Sequence, residues 1–299
     1  MTTTPNTSTE SAPASPGRPL PARPMLIAGG AGHTGSRVAA RLIAAGQPVR
    51  IASRSTTERL DWTDPSTWPA ALDGTSAAFI AYSPDLAFPG VPEILFGFAE
   101  RARQAGLRQL VLLSGRGEPG ARDSVEAVRA AGVPTTALYS AWFAQNLSES
   151  FLVEQVLAGE IALPAPDVAE PFVDLDDLAE VAALSLTSDG HADRDYQLTG
   201  PAALTFAEAG RMIGDAIGSR IRYRPVSRAQ FAAAGTAAGL PAADANGLAE
   251  LFAAVLDGRN SLPSTDLEQL LGRPATAFGV FVERAAAGGA WTVGSGADA

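Results

Sequence analysis

A chain of 299 residues with 46% hydrophobic and 18% charged side chains is large enough for one sizeable α/β domain and a smaller partner. Its formal net charge of −10 repels phosphate backbones and anionic membranes, which argues against nucleic-acid and lipid-surface partners. Cysteine is absent, excluding disulfides, thiolate metal sites and cysteine nucleophiles, and lysine is absent too, excluding Walker-type phosphate loops and Schiff-base chemistry.

Residues 1–24 are rich in Thr, Ser, Pro and Ala and hold no apolar core of signal-peptide length, which predicts a disordered tail. No later run reaches the roughly 18 apolar residues of a membrane span, so the expected location is the cytoplasm. Arginine in place of every lysine, with abundant Ala and Gly, points to a GC-rich bacterial genome.

From Met25 a βαβ rhythm sets in. Met25 to Ala28 predicts a first strand, and Ser36 to Ala45 a helix with Val38, Leu42 and Ile43 at helical spacing, stopped by Gly46. Val49–Ala52, Ala77–Ala81 and Leu110–Leu113 are apolar runs suited to strands buried on both faces of a parallel sheet. Helices are expected at about Pro92–Ala105 and Asp123–Ala131, and a further strand at Thr135–Tyr139. The fold class is therefore α/β, a Rossmann-type doubly wound parallel sheet over residues 25–146. Residues 147–287 predict a smaller, mostly helical lobe, some of whose segments return to the sheet. Its helices are expected at 148–158, 175–186, 205–217, 227–237, 243–257 and 276–286. Short strands are expected at Pro171–Val173, Tyr196–Leu198 and Ile221–Arg224. Residues 288–299 are expected to form a flexible tail.

The first strand runs into Gly29-Gly30-Ala31-Gly32-His33-Thr34-Gly35 and then a helix. Glycines there permit a tight turn, close backbone approach to a pyrophosphate and close helix–strand packing. The helix N-terminus then offers free N–H groups to the phosphates. This pattern, in this context, predicts a dinucleotide site. At the end of the second strand stand Ser53 and Arg54, with no acid before Glu58. A hydroxyl and a guanidinium suit a 2′-phosphate, favouring NADP(H) over NAD(H). His33, inside the loop, either touches phosphate or nicotinamide with its side chain or serves the loop mainly through its backbone. With His191 it makes up the whole histidine complement, which argues against a metal site or a Ser-His-Asp triad.

With these motifs in hand, residues 25–287 resemble the NmrA-like family of atypical short-chain dehydrogenases/reductases. Within it they are most similar to the branch of ergot-alkaloid-type iminium reductases and their actinobacterial relatives. The segments that carry the resemblance are Asp61-Trp62-Thr63-Asp64 with Thr67-Trp68, Ser114-Gly115-Arg116-Gly117-Glu118, and Ala141-Trp142-Phe143-Ala144-Gln145-Asn146. Pro171-Phe172-Val173-Asp174 with Asp177, and Leu198-Thr199-Gly200-Pro201 with Ala203-Leu204, complete the set.

The resemblance implies Asp61 and Trp62 beside the adenine, Ala81 and Tyr82 beside the ribose, and Ser114 facing the nicotinamide. It implies Trp142, Phe143 and Asn146 in the substrate pocket. Trp62, Trp68 and Phe143 are also compatible with plain core packing, and Asp174 and Asp177 with helix capping. The Tyr-x-x-x-Lys pair of the wider superfamily is ruled out by the missing lysine. Where many relatives carry a lysine four residues before a glutamate, this chain has Arg122 before Glu126. Tyr139 replaces the arginine usual before the Trp-Phe segment.

Ser114 and Tyr139 remain as candidate proton donors, and Tyr139 as a substrate contact. Two functions follow. One is an NADPH-dependent reductase of a small activated electrophile, an iminium ion or quinone that accepts hydride without a strong acid, as in secondary metabolism. The other is a non-catalytic NADP(H)-binding redox sensor of a partner protein. An apolar, substrate-sized cleft beside the nicotinamide would separate them.

Overall fold

The computed structural model describes residues 23–292. Most of the expected N-terminal tail lies outside the described residues. Arg23 is already anchored, its guanidinium donating to the carbonyls of Gly74 and Thr75, and Pro24 O accepts from Ser76 N.

In chain order the first half holds β1 (Met25–Ala28), α1 (His33–Ala44), β2 (Val49–Ser53), β3 (Glu58–Arg59), α2 (Trp68–Leu72), β4 (Ala78–Ile80), α3 (Val91–Gln104), β5 (Leu110–Gly115), α4 (Pro119–Ala130) and β6 (Thr135–Ser140). All residues of β1 and β4 are buried, as strands covered on both faces must be. Helix α1 starts at His33, inside the glycine loop, three residues earlier than its apolar spacing indicates. It buries Thr34, Gly35, Val38, Ala39 and Leu42 along one stripe.

The second half holds α5 (Val153–Leu157), β7 (Glu160–Leu163), β8 (Ala169–Glu170), α6 (Leu175–Thr187), β9 (Asp195–Leu198), β10 (Leu204–Thr205), α7 (Phe206–Ile217), β11 (Arg222–Pro225), α8 (Arg228–Ala237), α9 (Ala242–Val255), α10 (Asp266–Leu271) and α11 (Phe278–Ala287). The main sheet is parallel throughout, in the order β3-β2-β1-β4-β5-β6-β9. Strand order reverses between β1 and β4, and a ligand crevice opens at such a switch point, outside the carboxyl ends of the strands.

Three large apolar cores hold the layers, and a small fourth one, Ala232, Ala245 and Ala249, joins α8 to α9. One lies under α3 and α4, with Phe98, Leu110, Leu112 and Tyr139; a second lies under α1 and α6, with Ile27, Phe79, Val111 and Leu138. The third belongs to the second half, around Phe172, Phe206, Phe281 and Trp291. Segments α6 and β9 return to the sheet, and α10 packs on both of them. Capping boxes start α7 (Thr205 with Glu208) and α8 (Ser227 with Gln230).

Several expectations change. The helix expected at 148–158 shortens to α5, because residues 148–152 turn instead and present Phe151 outward. The strand expected at Pro171–Val173 becomes β8, paired with β10, followed by a single bridge between Phe143 and Val173. Strand β7, paired with β11, and helix α10 were not expected. The C-terminal tail begins later than residue 288. Trp291 is buried, and its indole Nε1 donates to Leu147 O at 2.7 Å; residues 293–299 lie outside the described residues. Among the described residues, no helix is long and apolar enough to cross a membrane.

Candidate active site

The glycine loop divides its labour. Gly29 has φ +84°, and a Cβ there would sit 2.4 Å from Ala81 O. A Cβ on Gly30 would meet Ile51 Cγ2 at 2.7 Å, and one on Gly35 would meet Gly29 O at 2.4 Å and Gly30 Cα at 2.7 Å. These three glycines let α1, β1 and β4 close on one another. Gly32 differs: a Cβ there would meet only Gly29 O, at 3.4 Å. Nothing in the protein requires Gly32 to be bare, so the space beside it is open to a ligand. Gly32 is also the N-cap of α1, and no side chain caps that helix. Its first N–H groups and the positive end of its dipole are left to whatever occupies the groove.

That groove has a volume of about 590 Å³ and runs along the carboxyl ends of the strands. Gly29, Gly32, His33, Thr34, Gly35, Ser53, Arg54, Trp62, Ala81, Tyr82, Phe143 and Asn146 all line it. Arg54 is exposed and, among the described residues, takes no ion pair or side-chain hydrogen bond. Ser53 anchors the turn around it: its N–H donates to Thr56 Oγ1 at 2.7 Å, and its hydroxyl accepts from Ser55 N at 3.2 Å. Trp62 leans on Tyr82 with centroids 5.2 Å apart, forming one aromatic wall. His33 Nδ1 lies 3.5 Å from Glu149 Oε2, and Arg37 joins Glu149 to Asp176, tying α1 to the second half at the rim.

Two expected contacts fall elsewhere. Asp61 does not reach the groove. Its carboxylate accepts from Thr63 N and Thr63 Oγ1 and pairs with Arg59; these bonds hold it below the ordinary carboxylate range. Gly30 stands behind the loop, not on its open face. The cradle, the uncapped helix start and the unpaired guanidinium fit a phosphorylated dinucleotide.

A second cleft of about 1480 Å³ opens beside the first and shares Tyr82, Ser83, Pro84, Leu113, Phe143 and Asn146 with it. The second half contributes the aromatic wall. Trp142 meets Phe206 edge-on at 5.3 Å and Phe252 at 4.9 Å; Phe252 stacks on Phe151 and touches Phe231. Ser114 lines this cleft, its hydroxyl buried without a hydrogen-bond partner.

Tyr139 does not line either cleft. Strand alternation turns it to the α4 face, where its ring lies under the Arg122 guanidinium at 5.9 Å within the α3/α4 core. Burial pushes its phenol upward, further from proton donation at neutral pH. It is neither substrate contact nor acid. Asp174 and Asp177 are structural. Asp174 caps α6 through Asp176 N at 2.8 Å and binds Gln145 and Arg284, while Asp177 holds Thr276 and Arg273.

Sequence reasoning missed the acids of the second cleft. Asp85, Glu118 and Glu170 all line it. Glu118 is raised to about 8, first by burial and then by the charge of Asp85, and Asp85 is itself raised by burial. Glu170 is fully buried with both oxygens unpartnered, and burial lifts it to about 7 against the pull of Arg116. Glu118 stood inside a recognised segment, but no local signal announced its burial.

A parallel sheet with a glycine cradle and an adjoining cleft defines a dinucleotide-binding α/β protein with room for a second ligand. The chain belongs to the NmrA-like family of atypical short-chain dehydrogenases/reductases. It is 31% identical over 277 residues to an uncharacterised oxidoreductase, YesF, of Bacillus subtilis, covering 88% of this chain and 96% of that protein. It is 30% identical over 288 residues to an NAD(P)H azoreductase of Xenophilus azovorans, covering 88% and 98%. Agroclavine dehydrogenase of Claviceps fusiformis matches at 28% over 286 residues, covering 86% and 96%. The fold is shared with the Citrobacter triphenylmethane reductase solved with NADP(H), at TM-score 0.72 and 22% identity, covering 88% of this chain and 99% of that one. No family model matches the chain.

Proposed function

We propose that the protein is an NADPH-dependent oxidoreductase that reduces a small activated electrophile of the iminium or quinone class. The observation that carries this reading is the continuity of the two clefts. A dinucleotide sensor needs only the first, whereas a reductase needs a second chamber at the reactive end of the cofactor. Relatives are named as oxidoreductases, among them an azoreductase and a clavine dehydrogenase.

In this reading Gly32, Thr34 and the start of α1 hold the pyrophosphate, and Ser53 with Arg54 holds the 2′-phosphate. Trp62, Ala81 and Tyr82 bind the adenosine half. Leu113, Phe143 and Asn146, common to both clefts, meet the nicotinamide end, and Trp142 walls the substrate. Bound NADPH supplies the hydride; the chain's part is to orient the acceptor and keep water out. Residues 25–146 with α6, β9 and α10 serve the cofactor, and the remaining second-half elements serve the substrate. A cytoplasmic setting suits an NADPH user.

The test is a panel of iminium, quinone and simple ketone substrates with NADPH. Turnover of the first two classes is expected. Tight NADPH binding with no turnover on any of them would overturn the reading in favour of a sensor.

A further inference from the structure

The missing Tyr/Lys pair does not leave the substrate cleft without an acid. Glu118 is the N-cap residue of α4, a place where a carboxylate is ordinarily held ionised by the helix N–H groups and dipole. Here it makes no such bond. Its side chain folds back over Gly115 at the end of β5. There its Cδ and both carboxyl oxygens lie 2.0–2.2 Å from where a Cβ on Gly115 would stand. Only glycine leaves room for that carboxyl. Its Oε2 is buried and accepts no hydrogen bond.

Asp85 approaches from the loop after β4, directly behind Ser83 and Pro84, which line both clefts. Glu118 stands next to Ser114 and Gly115 at the end of the neighbouring strand. Both carboxyls line the substrate chamber, Asp85 next in sequence to Pro84, which lines both clefts.

From this geometry we infer that Glu118 is the proton donor for substrates on which hydride transfer leaves an anionic oxygen or nitrogen. The inference rests on the reductase reading above. The electrophilic carbon takes up hydride from the reduced dinucleotide, which is oxidised. The π pair of the substrate's C=O, or conjugated C=C–C=O, moves to oxygen. An O–H bond forms there as the O–H bond of Glu118 breaks. The carboxylate left behind recovers a proton from water. An iminium ion needs none of this, because hydride alone converts it to a neutral amine.

The groups facing Glu118 fit the role. Arg122, on the same helix, is turned over the Tyr139 ring. Arg116 is engaged by Gln197 and by the carbonyls of Asn260 and Leu262. Glu170 is an acid, not a cation, and its field falls on Arg116. Among the described residues, burial is the first cause that holds Glu118 protonated and the like charge of Asp85 the second. Burial and this neighbour together place the titration at about 8.

The experiment compares wild type, Glu118→Gln and Gly115→Ala. Infrared spectroscopy of the dinucleotide-free protein at neutral pH should show a protonated-carboxyl band that Glu118→Gln removes. With NADPH, Glu118→Gln should slow quinone reduction by about 10²-fold or more and slow iminium reduction far less. The wild-type quinone rate should fall as pH rises through about 8, while the iminium rate stays flat over the same step. Gly115→Ala keeps the acid but displaces it, and the clash involves only the mobile end of one side chain. It should reproduce the selective loss in a folded protein.

Absence of the band, or equal losses on both substrate classes, overturns the inference while iminium turnover keeps the reductase reading intact. No turnover by wild type on either class removes that reading, and the acid role with it.

Discussion

The two clefts are built from different materials. The dinucleotide groove is made of backbone: three glycines, a bare helix start and a turn braced by Ser53 and Thr56. Its polar groups face a ligand from the surface, and Arg54, unpaired among the described residues, is exposed. The substrate cleft is made of side chains drawn from both halves, with aromatic walls and three carboxyls of raised proton affinity. Backbone recognition depends on shape and tolerates little substitution. Side-chain recognition can change chemistry one residue at a time while the sheet beneath stays constant. The arrangement lets a fixed hydride-delivery groove serve a variable chamber.

The largest expected effect tests the backbone side. Gly32→Val should abolish dinucleotide binding yet leave a folded protein, because the added side chain meets open groove and only Gly29 O at 3.4 Å. Gly35→Val should do the opposite kind of damage: its Cβ drives into Gly29 and Gly30 backbone, costing about 3 kcal/mol of stability. Calorimetry with circular dichroism on both variants decides the matter. Unchanged affinity in Gly32→Val would mean that the loop is only a turn.

A smaller effect is expected at Arg54, which lines the groove and is unpaired among the described residues. Arg54→Ala should weaken NADPH binding roughly 10- to 100-fold, the value of a charge-assisted phosphate contact, and leave NADH binding nearly as it was. Paired titrations of both cofactors measure it. Equal wild-type affinities for NADPH and NADH would sink the assignment of Arg54.

The same contrast explains what could be read from the residues alone. The glycine loop and Ser53-Arg54 were legible because backbone demands leave a local signature at fixed spacing. The strands of the sheet were legible as apolar runs. Those same runs hid which way Tyr139 points, because a strand buried on both faces has no polar alternation to give its parity. The carboxyl pair was invisible for a further reason. Asp85 and Glu118 meet only because β4 pairs with β5 in the sheet, and their acidity is set by burial, not by neighbours in the chain. Asp61 sat in a recognised segment, but Thr63 and Arg59 absorb its carboxylate locally.

The smallest expected effect is thermal, and it separates the clefts once more. A carboxyl held above its ordinary value of 4.5 in the folded state stabilises the fold at low pH relative to high pH. Folding then binds a proton that the unfolded chain has released. For Glu118 that contribution is complete below about 4.5 and is lost as pH rises through about 8, and Glu170 adds the same sign up to about 7. Carboxyls held low act in another window. Asp257, pulled to about 2 by Arg259, favours the fold above its ordinary range and fails only as pH falls toward 2. Between about 5 and 8 the two buried acids act against His191, which burial holds below its ordinary 6.5, and with two groups against one the melting temperature of wild type should decline across that range. Glu118→Gln should flatten that decline and melt higher than wild type at the upper end. Gly32→Val, altering the other cleft, should keep the wild-type slope. Melting curves of the three proteins at several pH values check this. Parallel curves for wild type and Glu118→Gln would mean that the Glu118 carboxyl is ionised in the folded protein, and would remove the acid from the substrate cleft.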